Sequence, residues 1–267
     1  MTWWQAIILG IIQGITEFLP VSSSGHLAII EHFFSLQDAT LTFDIMLHLG
    51  TLVAVVLFFR QQLLSLRKEM AAKIFLATVP LILLGVILKP IVESFRLNLT
   101  ALIVTYVFTA VLLLMADRFM VLEKNSPLWS TIEKLHAKVT GKNPPSFLQA
   151  MIVGIFQVFA VLPGVSRSGT TISAGIFSGI PAAEAFSFAF LISIPAVAGA
   201  VALDLFDVLQ QGSLSSLPWD MYLIGAITSF IVGWGALTIL KWFVTKRKLW
   251  PFALYCALIS ILLVFFA

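Results

Sequence analysis

The chain has 267 residues, of which 60% are hydrophobic and 11% charged, and its mean hydropathy is +1.03. A soluble domain carries about 25% charged residues, so the composition excludes one and indicates an integral membrane protein. The apolar runs are long and lack the period-two alternation of a β-barrel, which makes the class helical. A net charge of +3 reads as basic loops beside a membrane, and no nucleic-acid surface is expected.

The first apolar run starts at Trp3 and ends in Gln13-Gly-Ile-Thr-Glu17-Phe-Leu-Pro20-Val-Ser22-Ser23-Ser24-Gly25-His26. It has no basic leader and no convincing small-residue cleavage site after it, so no signal peptide is expected. Gln13 and Glu17 stand four apart, on one face of a helix, and Pro20 stops that helix. A carboxylate touching interfacial water is the plain reading of Glu17. Acids inside a membrane are costly and usually mark a site, and the hydroxyls and imidazole that follow favour that second reading. Gln13 alone reads equally well as a helix-packing amide. One of Ser22, Ser23 and Ser24 is expected to cap the next helix, but capping does not need three. His26 as a structural residue would donate to a carbonyl; beside these serines it suits proton transfer. His32 and His48 lack such company and read as structural, and His136 reads as a linker residue.

Apolar segments follow at 43–59, 74–88, 99–116, 147–162, 186–203, 221–240 and 250–266, with shorter ones near 27–36 and 170–180. The polar interval 117–146 ends in Asn143-Pro144-Pro145 and reads as a linker. It divides the chain into a first half, 1–116, and a second, 147–267, within one membrane domain. Basic residues cluster at 60–73, 118–142 and 241–248, which the positive-inside rule assigns to the cytoplasm. The loop 204–220 carries Asp204, Asp207 and Asp220 without a base and is expected outside. Lys89 and Arg96 then fall in an external loop, a mild violation. Glu184 and Asp44 read as interfacial charges, and Cys256 as apolar packing.

The linker inside and the acidic loop outside require residues 147–181 to begin and end on one side. The second arm of that region has 11 residues in its apolar stretch. As a helix it rises about 16 Å, against a bilayer core of about 30 Å. A re-entrant hairpin is therefore expected there, and another at the N-terminus. Each half becomes one hairpin plus three crossings. The expected fold is an all-α integral membrane protein of two inverted-topology repeats, with about six transmembrane helices and two re-entrant hairpins. Irregular backbone at membrane depth is tolerated where protein buries it or water lines it, which implies a shared polar cavity.

The second hairpin echoes the first. At an offset of 144, Gly10 falls on Gly154, Gln13 on Gln157, Ser22 on Ser166, Ser24 on Ser168 and Gly25 on Gly169. Glu17 becomes Val161, Ser23 becomes Arg167 and His26 becomes Thr170. One half thus brings an acid and an imidazole, the other a guanidinium. Pro163-Gly164-Val-Ser166-Arg167-Ser168-Gly169-Thr-Thr171 offers amides and hydroxyls at a helix N-terminus, a setting that favours an anion. Arg167 adds a planar fork for two phosphate oxygens; paired with a buried acid instead, its partner would be Glu17.

These two motifs, with the repeat and the run at Phe186, resemble the bacterial undecaprenyl-pyrophosphate phosphatase family (the BacA or UppP type) over nearly the whole chain. The resemblance implies hydrolysis of undecaprenyl pyrophosphate to undecaprenyl phosphate, recycling the lipid carrier of cell-wall synthesis, with a link to bacitracin resistance. It carries over Glu17, Ser23, His26 and Arg167 as active-site positions, with Gln13 where many members have Glu. Glu17, with Gln13, would hold a divalent cation of the Mg or Ca kind, since such an ion keeps waters and uses few protein ligands. Ser22, Gly164, Ser166, Arg167, Ser168, Gly169 and Thr171 would bind the phosphates. Ser23 or a water would attack, with His26 moving the proton. The expected partner is a polyprenyl pyrophosphate lipid, a homodimer is a candidate assembly, and the site is expected to open to the outer side of the cytoplasmic membrane. A lipid or anion transporter is the alternative, because inverted repeats with broken helices are a transporter architecture.

Overall fold

The structure is a computed structural model that describes residues 2–34, 41–96, 98–125, 144–210 and 218–266. Its elements are all helices: α1 (Trp3–Phe18), α2 (Ser23–Phe34), α3 (Leu41–Phe58), the short α4 (Arg60–Leu64), α5 (Lys68–Arg96) and α6 (Leu99–Asn125) in the first half. The second half holds α7 (Phe147–Phe159), α8 (Arg167–Phe177), α9 (Ala182–Gln210), α10 (Trp219–Thr245) and α11 (Trp250–Val264). Leu99–Leu122, Ala182–Gln210 and Trp219–Thr245 are long and apolar enough to cross a membrane. The apolar helices Thr42–Phe58, Phe147–Phe159 and Trp250–Val264 are shorter.

Several helices outrun the apolar segments that mark them. The run at 74–88 lies inside α5, which begins at Lys68 and continues past Pro80 and Pro90. The polar interval expected from 117 starts within α6, which reaches Asn125, and the acidic loop expected from 204 starts within α9, which reaches Gln210. The reason is that backbone hydrogen bonding continues across the lipid boundary: Lys, Glu and Arg are good helix formers at the ends of α5 and α6, and in α9 Leu205, Leu209 and Gln210 extend the helix around Asp204 and Asp207. His136 lies outside the described residues, as does the side chain of His32.

The two hairpin arms start alike. Gln5 accepts from the Thr2 amide at 2.7 Å, and Gln149 accepts from the Ser146 amide at 2.7 Å. Each first arm then lies against a long helix of the other half, at a glycine. A Cβ on Gly10 of α1 would sit 2.8 Å from the Gly225 carbonyl oxygen of α10. One on Gly154 of α7 would sit 2.5 Å from the Ala77 carbonyl oxygen of α5. Without a hydrophobic drive between helices in lipid, such close backbone approach is what holds them together. In addition α3 packs on α10 and α9 on α5, while α6 pairs with α11 and α8 packs on α6 and α9.

One large apolar core joins both halves. Phe18 of α1 meets Phe190 of α9 edge-on, with ring centroids 5.7 Å apart, and Phe59 and Phe186 complete the cluster. Cys256 is fully buried in this core, against the Pro20 carbonyl at 3.7 Å. Outward faces remain apolar, with Ile82, Ile87, Val104, Ile231 and Ile261 exposed, as a lipid-facing surface requires.

Candidate active site

The breaks of the two hairpins meet. Ser22 carries the first break in a left-handed conformation, φ 67°, uncommon for a residue with a Cβ. Its hydroxyl accepts from the Gly25 amide at 3.3 Å and from the Gly164 amide, across the junction, at 3.1 Å. Gly164 itself has φ +88°, and a Cβ there would fall 2.0 Å from the Thr105 hydroxyl oxygen. Thr109 of α6 donates to the Gly164 carbonyl at 2.9 Å and accepts from the Ser166 amide at 3.2 Å.

The second arms start just beyond these breaks, at Ser23 for α2 and at Arg167 for α8. These are the positions that the offset superimposes, and both side chains turn to the same carboxylate. Glu17, in the last turn of α1, is 7% exposed. Its Oε2 accepts from the Ser23 hydroxyl at 2.6 Å and from the Gln13 amide nitrogen at 3.0 Å. Its Oε1 accepts from an Arg167 guanidinium nitrogen. The pairing satisfies two charges that would each be costly alone inside a bilayer.

His26 stands apart from that cluster in its bonding. The Ser22 carbonyl, which can only accept, lies 2.7 Å from Nδ1, so Nδ1 carries the proton. Nε2 is then the acceptor and takes the Tyr255 hydroxyl at 2.7 Å. Tyr106 lies 3.0 Å from Nδ1, and the Tyr255 ring stacks on the imidazole. The Ser23 hydroxyl donates to Glu17 instead of His26.

Most of the expected phosphate-binding residues are buried and engaged within the protein. Ser166 caps α8 by accepting from the Gly169 amide at 3.1 Å, and its hydroxyl is 3.2 Å from that of Ser168. Thr171 donates to the Arg167 carbonyl at 2.8 Å. With the amides of Ser166 and Gly169 engaged, the ones left to an outside anion in the first turn are those of Arg167 and Ser168. Ser23, His26 and Arg167 are partly exposed and Ser24 is exposed, so these side chains can meet a ligand.

Three contributors were absent from the sequence-based site. Tyr106, Tyr255 and His48 lie in apolar segments, where a polar or ionisable side chain is itself the signal. His48 of α3, read as structural from its apolar neighbours, comes to the cluster: Gln13 donates to its Nδ1 at 3.0 Å, and Glu17 Oε2 is 3.7 Å away.

A cation has few ligands to choose from here. Among the described residues no group of three or more His, Cys, Asp and Glu side chains could hold a metal ion. The cluster does contain a hard oxygen to spare, since Gln13 Oε1 is buried without a hydrogen-bond partner. One carboxylate and one amide oxygen fit an ion that keeps most of its waters.

A bundle of long apolar helices that joins an acid, a guanidinium and a hydroxyl where two hairpin breaks meet defines a helical membrane protein with a polar cluster inside it. The chain belongs to the BacA family: the family model for bacitracin resistance protein BacA matches residues 6–262. It is 35% identical to a protein of Carboxydothermus hydrogenoformans named undecaprenyl-diphosphatase, over 98% of this chain and 96% of that one. It is 36% identical to one of the same name from Desulforapulum autotrophicum, over 98% and 97%. Undecaprenyl-diphosphatase 4 of Bacillus cereus is 34% identical over 96% and 93%. The protein is thus a multi-pass bacterial membrane protein.

Proposed function

We infer that the protein is an undecaprenyl-diphosphate phosphatase, a hydrolase of the membrane that releases inorganic phosphate from the pyrophosphate of a polyprenyl lipid. The observation that carries this reading is the single carboxylate shared by Ser23 and Arg167, each from a different hairpin. Family membership over residues 6–262 and relatives named undecaprenyl-diphosphatase over nearly their full length support the substrate.

An incoming pyrophosphate competes for Arg167, whose fork suits two phosphate oxygens. As Arg167 turns to the substrate, Glu17 Oε1 is released. Glu17 then takes the Ser23 proton as Oγ attacks the terminal phosphorus and the bridging P–O bond breaks, so that polyprenyl phosphate leaves and the phosphoryl group stays on Ser23. Water then attacks that phosphorus, the P–Oγ bond breaks, Oγ regains a proton and inorganic phosphate is released. Water on the same path, with Glu17 as base, would give the product without a covalent intermediate. His26, braced by Ser22 and two tyrosines, orients the start of α2. Phosphoryl transfer gains mainly from such positioning and charge stabilisation. Gln13 and Glu17 would hold a divalent cation of the Mg or Ca kind, which when bound would neutralise charge on the phosphate oxygens.

The same reading extends to topology. Two inverted repeats, 1–116 and 147–267 about the linker 117–146, would give six crossings and two re-entrant hairpins. Support comes from contacts that recur between equivalent helices: α1 on α10 and α7 on α5, α3 on α10 and α9 on α5. The four hairpin arms have 16, 12, 13 and 11 residues, so the longest rises about 24 Å, short of a core of about 30 Å. With basic loops cytoplasmic, the break at Pro20 opens outward and the site faces the outer side of the membrane.

Purified protein in detergent should release inorganic phosphate from polyprenyl pyrophosphate, and a strong chelator should stop it. Folded protein that binds the lipid but releases no phosphate would sink the enzyme and leave a transporter. Undiminished release in chelator would remove the cation.

A further inference from the structure

Gln13 has one amide nitrogen and two acceptors around it, Glu17 Oε2 and His48 Nδ1, both at 3.0 Å. Turning the amide over would set its oxygen against the carboxylate, so the nitrogen faces inward and Oε1 is the atom left without a partner. That choice fixes the imidazole as well. Nδ1 must accept, and in the neutral ring the proton then sits on Nε2. Nε2 lies on the far side of the ring from Gln13. It has no hydrogen-bond partner among the described residues, and the side chain is 33% exposed. A donor of fixed direction is therefore carried by a ring whose other nitrogen stands 3.7 Å from the carboxylate that Ser23 and Arg167 share.

We propose that His48 contacts the substrate: its Nε2–H donates to an oxygen of the pyrophosphate, and Gln13 holds the ring in the tautomer that makes this possible. The inference rests on the phosphatase reading. It gives Gln13 a part that needs no charge, since its amide nitrogen can bridge a carboxylate and an imidazole nitrogen. It also separates the two histidines. His26 has both ring nitrogens engaged within the protein, whereas His48 has one to offer.

Two substitutions divide the imidazole into its halves. The amide of Asn ends near Nδ1, and that of Gln near Nε2. His48→Asn keeps the acceptor for Gln13 and loses the donor to the substrate; His48→Gln keeps a donor at the far position. Steady-state phosphate release by the full chain, with kcat and KM determined separately, should show kcat/KM at least about tenfold lower for His48→Asn, as for a lost directional hydrogen bond. His48→Gln, which keeps the far donor, should lose at least about threefold less than His48→Asn. Wild-type kcat/KM in His48→Asn would overturn the proposal, as would equal loss in both variants. Should His48→Asn fail to fold in detergent, His48→Ala against His48→Gln makes the same comparison, and equal rates would again overturn it. Parent protein that released no phosphate would instead refute the phosphatase reading.

Discussion

At the scale of single residues, the site turns on what each hydrogen-bonding atom can do. The Ser23 hydroxyl reaches Glu17 at 2.6 Å, so Ser23→Ala should lose turnover while lipid binding, measured by filter or fluorescence assay, is kept. Ser22→Ala should instead weaken the protein, because its hydroxyl ties Gly164 to the first hairpin. Robust turnover by Ser23→Ala would hand the attack to water. Glu17→Ala should abolish phosphate release and leave Arg167 without its partner, whereas Gln13→Ala should be milder because an amide is a weak ligand for a hard cation. Equal, complete loss at both positions would give Gln13 a larger part. The meeting of Ser23 and Arg167 was legible in the sequence, since the offset superimposes the two positions and the breaks were expected to share a cavity. The partner of the Ser23 proton was not legible. It depends on how far α1 is turned about its axis, and no spacing within Ser22–His26 reports that. His48 was passed over because its sequence neighbours are apolar; its relevant neighbour, Gln13, lies on another helix.

Helices show a similar division between pattern and packing. The apolar runs located the greasy cores of α5, α6, α9 and α10 but underran their ends, where polar residues continue the backbone ladder, and they overran the C-terminal ends of α7 and α11 by two or three residues. Close approaches are where single atoms decide. Gly164 combines φ +88° with Thr105 at 2.0 Å from any added Cβ, so Gly164→Ala should strain the second break and displace Arg167. A large drop in turnover with a lowered midpoint in detergent unfolding is expected; unchanged values for both would show that the break tolerates a side chain. Asp117 of α6 offers a second test. It is buried and accepts from the Leu249 and Trp250 amides at 2.7 and 3.0 Å, capping α11 from a neighbouring helix. Asp117→Ala should cost about 1–2 kcal/mol of stability, as loss of an N-cap does. Since α11 carries Tyr255, the hydrogen bond to His26 should loosen with it.

For the whole molecule, the central claim is that neither half holds a complete site. The first half brings Gln13, Glu17, Ser23, His26 and His48; the second brings the guanidinium. If the two halves are inverted about the membrane, cysteine labelling should find both termini and Ser24 accessible from outside, with the linker reactive from the cytoplasm. A cytoplasmic C-terminus would contradict the inversion. The most direct measurement is phosphate release by Arg167 variants in protein whose folding has been verified. Arg167→Lys keeps the charge and loses the two-pronged grip, so turnover should fall at least about tenfold, or roughly 1.4 kcal/mol of barrier. Arg167→Ala should fall much further, with the protein still inserted and still holding the lipid tail. Near-normal turnover by folded Arg167→Ala would mean that the guanidinium only braces Glu17 and that the phosphate is bound elsewhere.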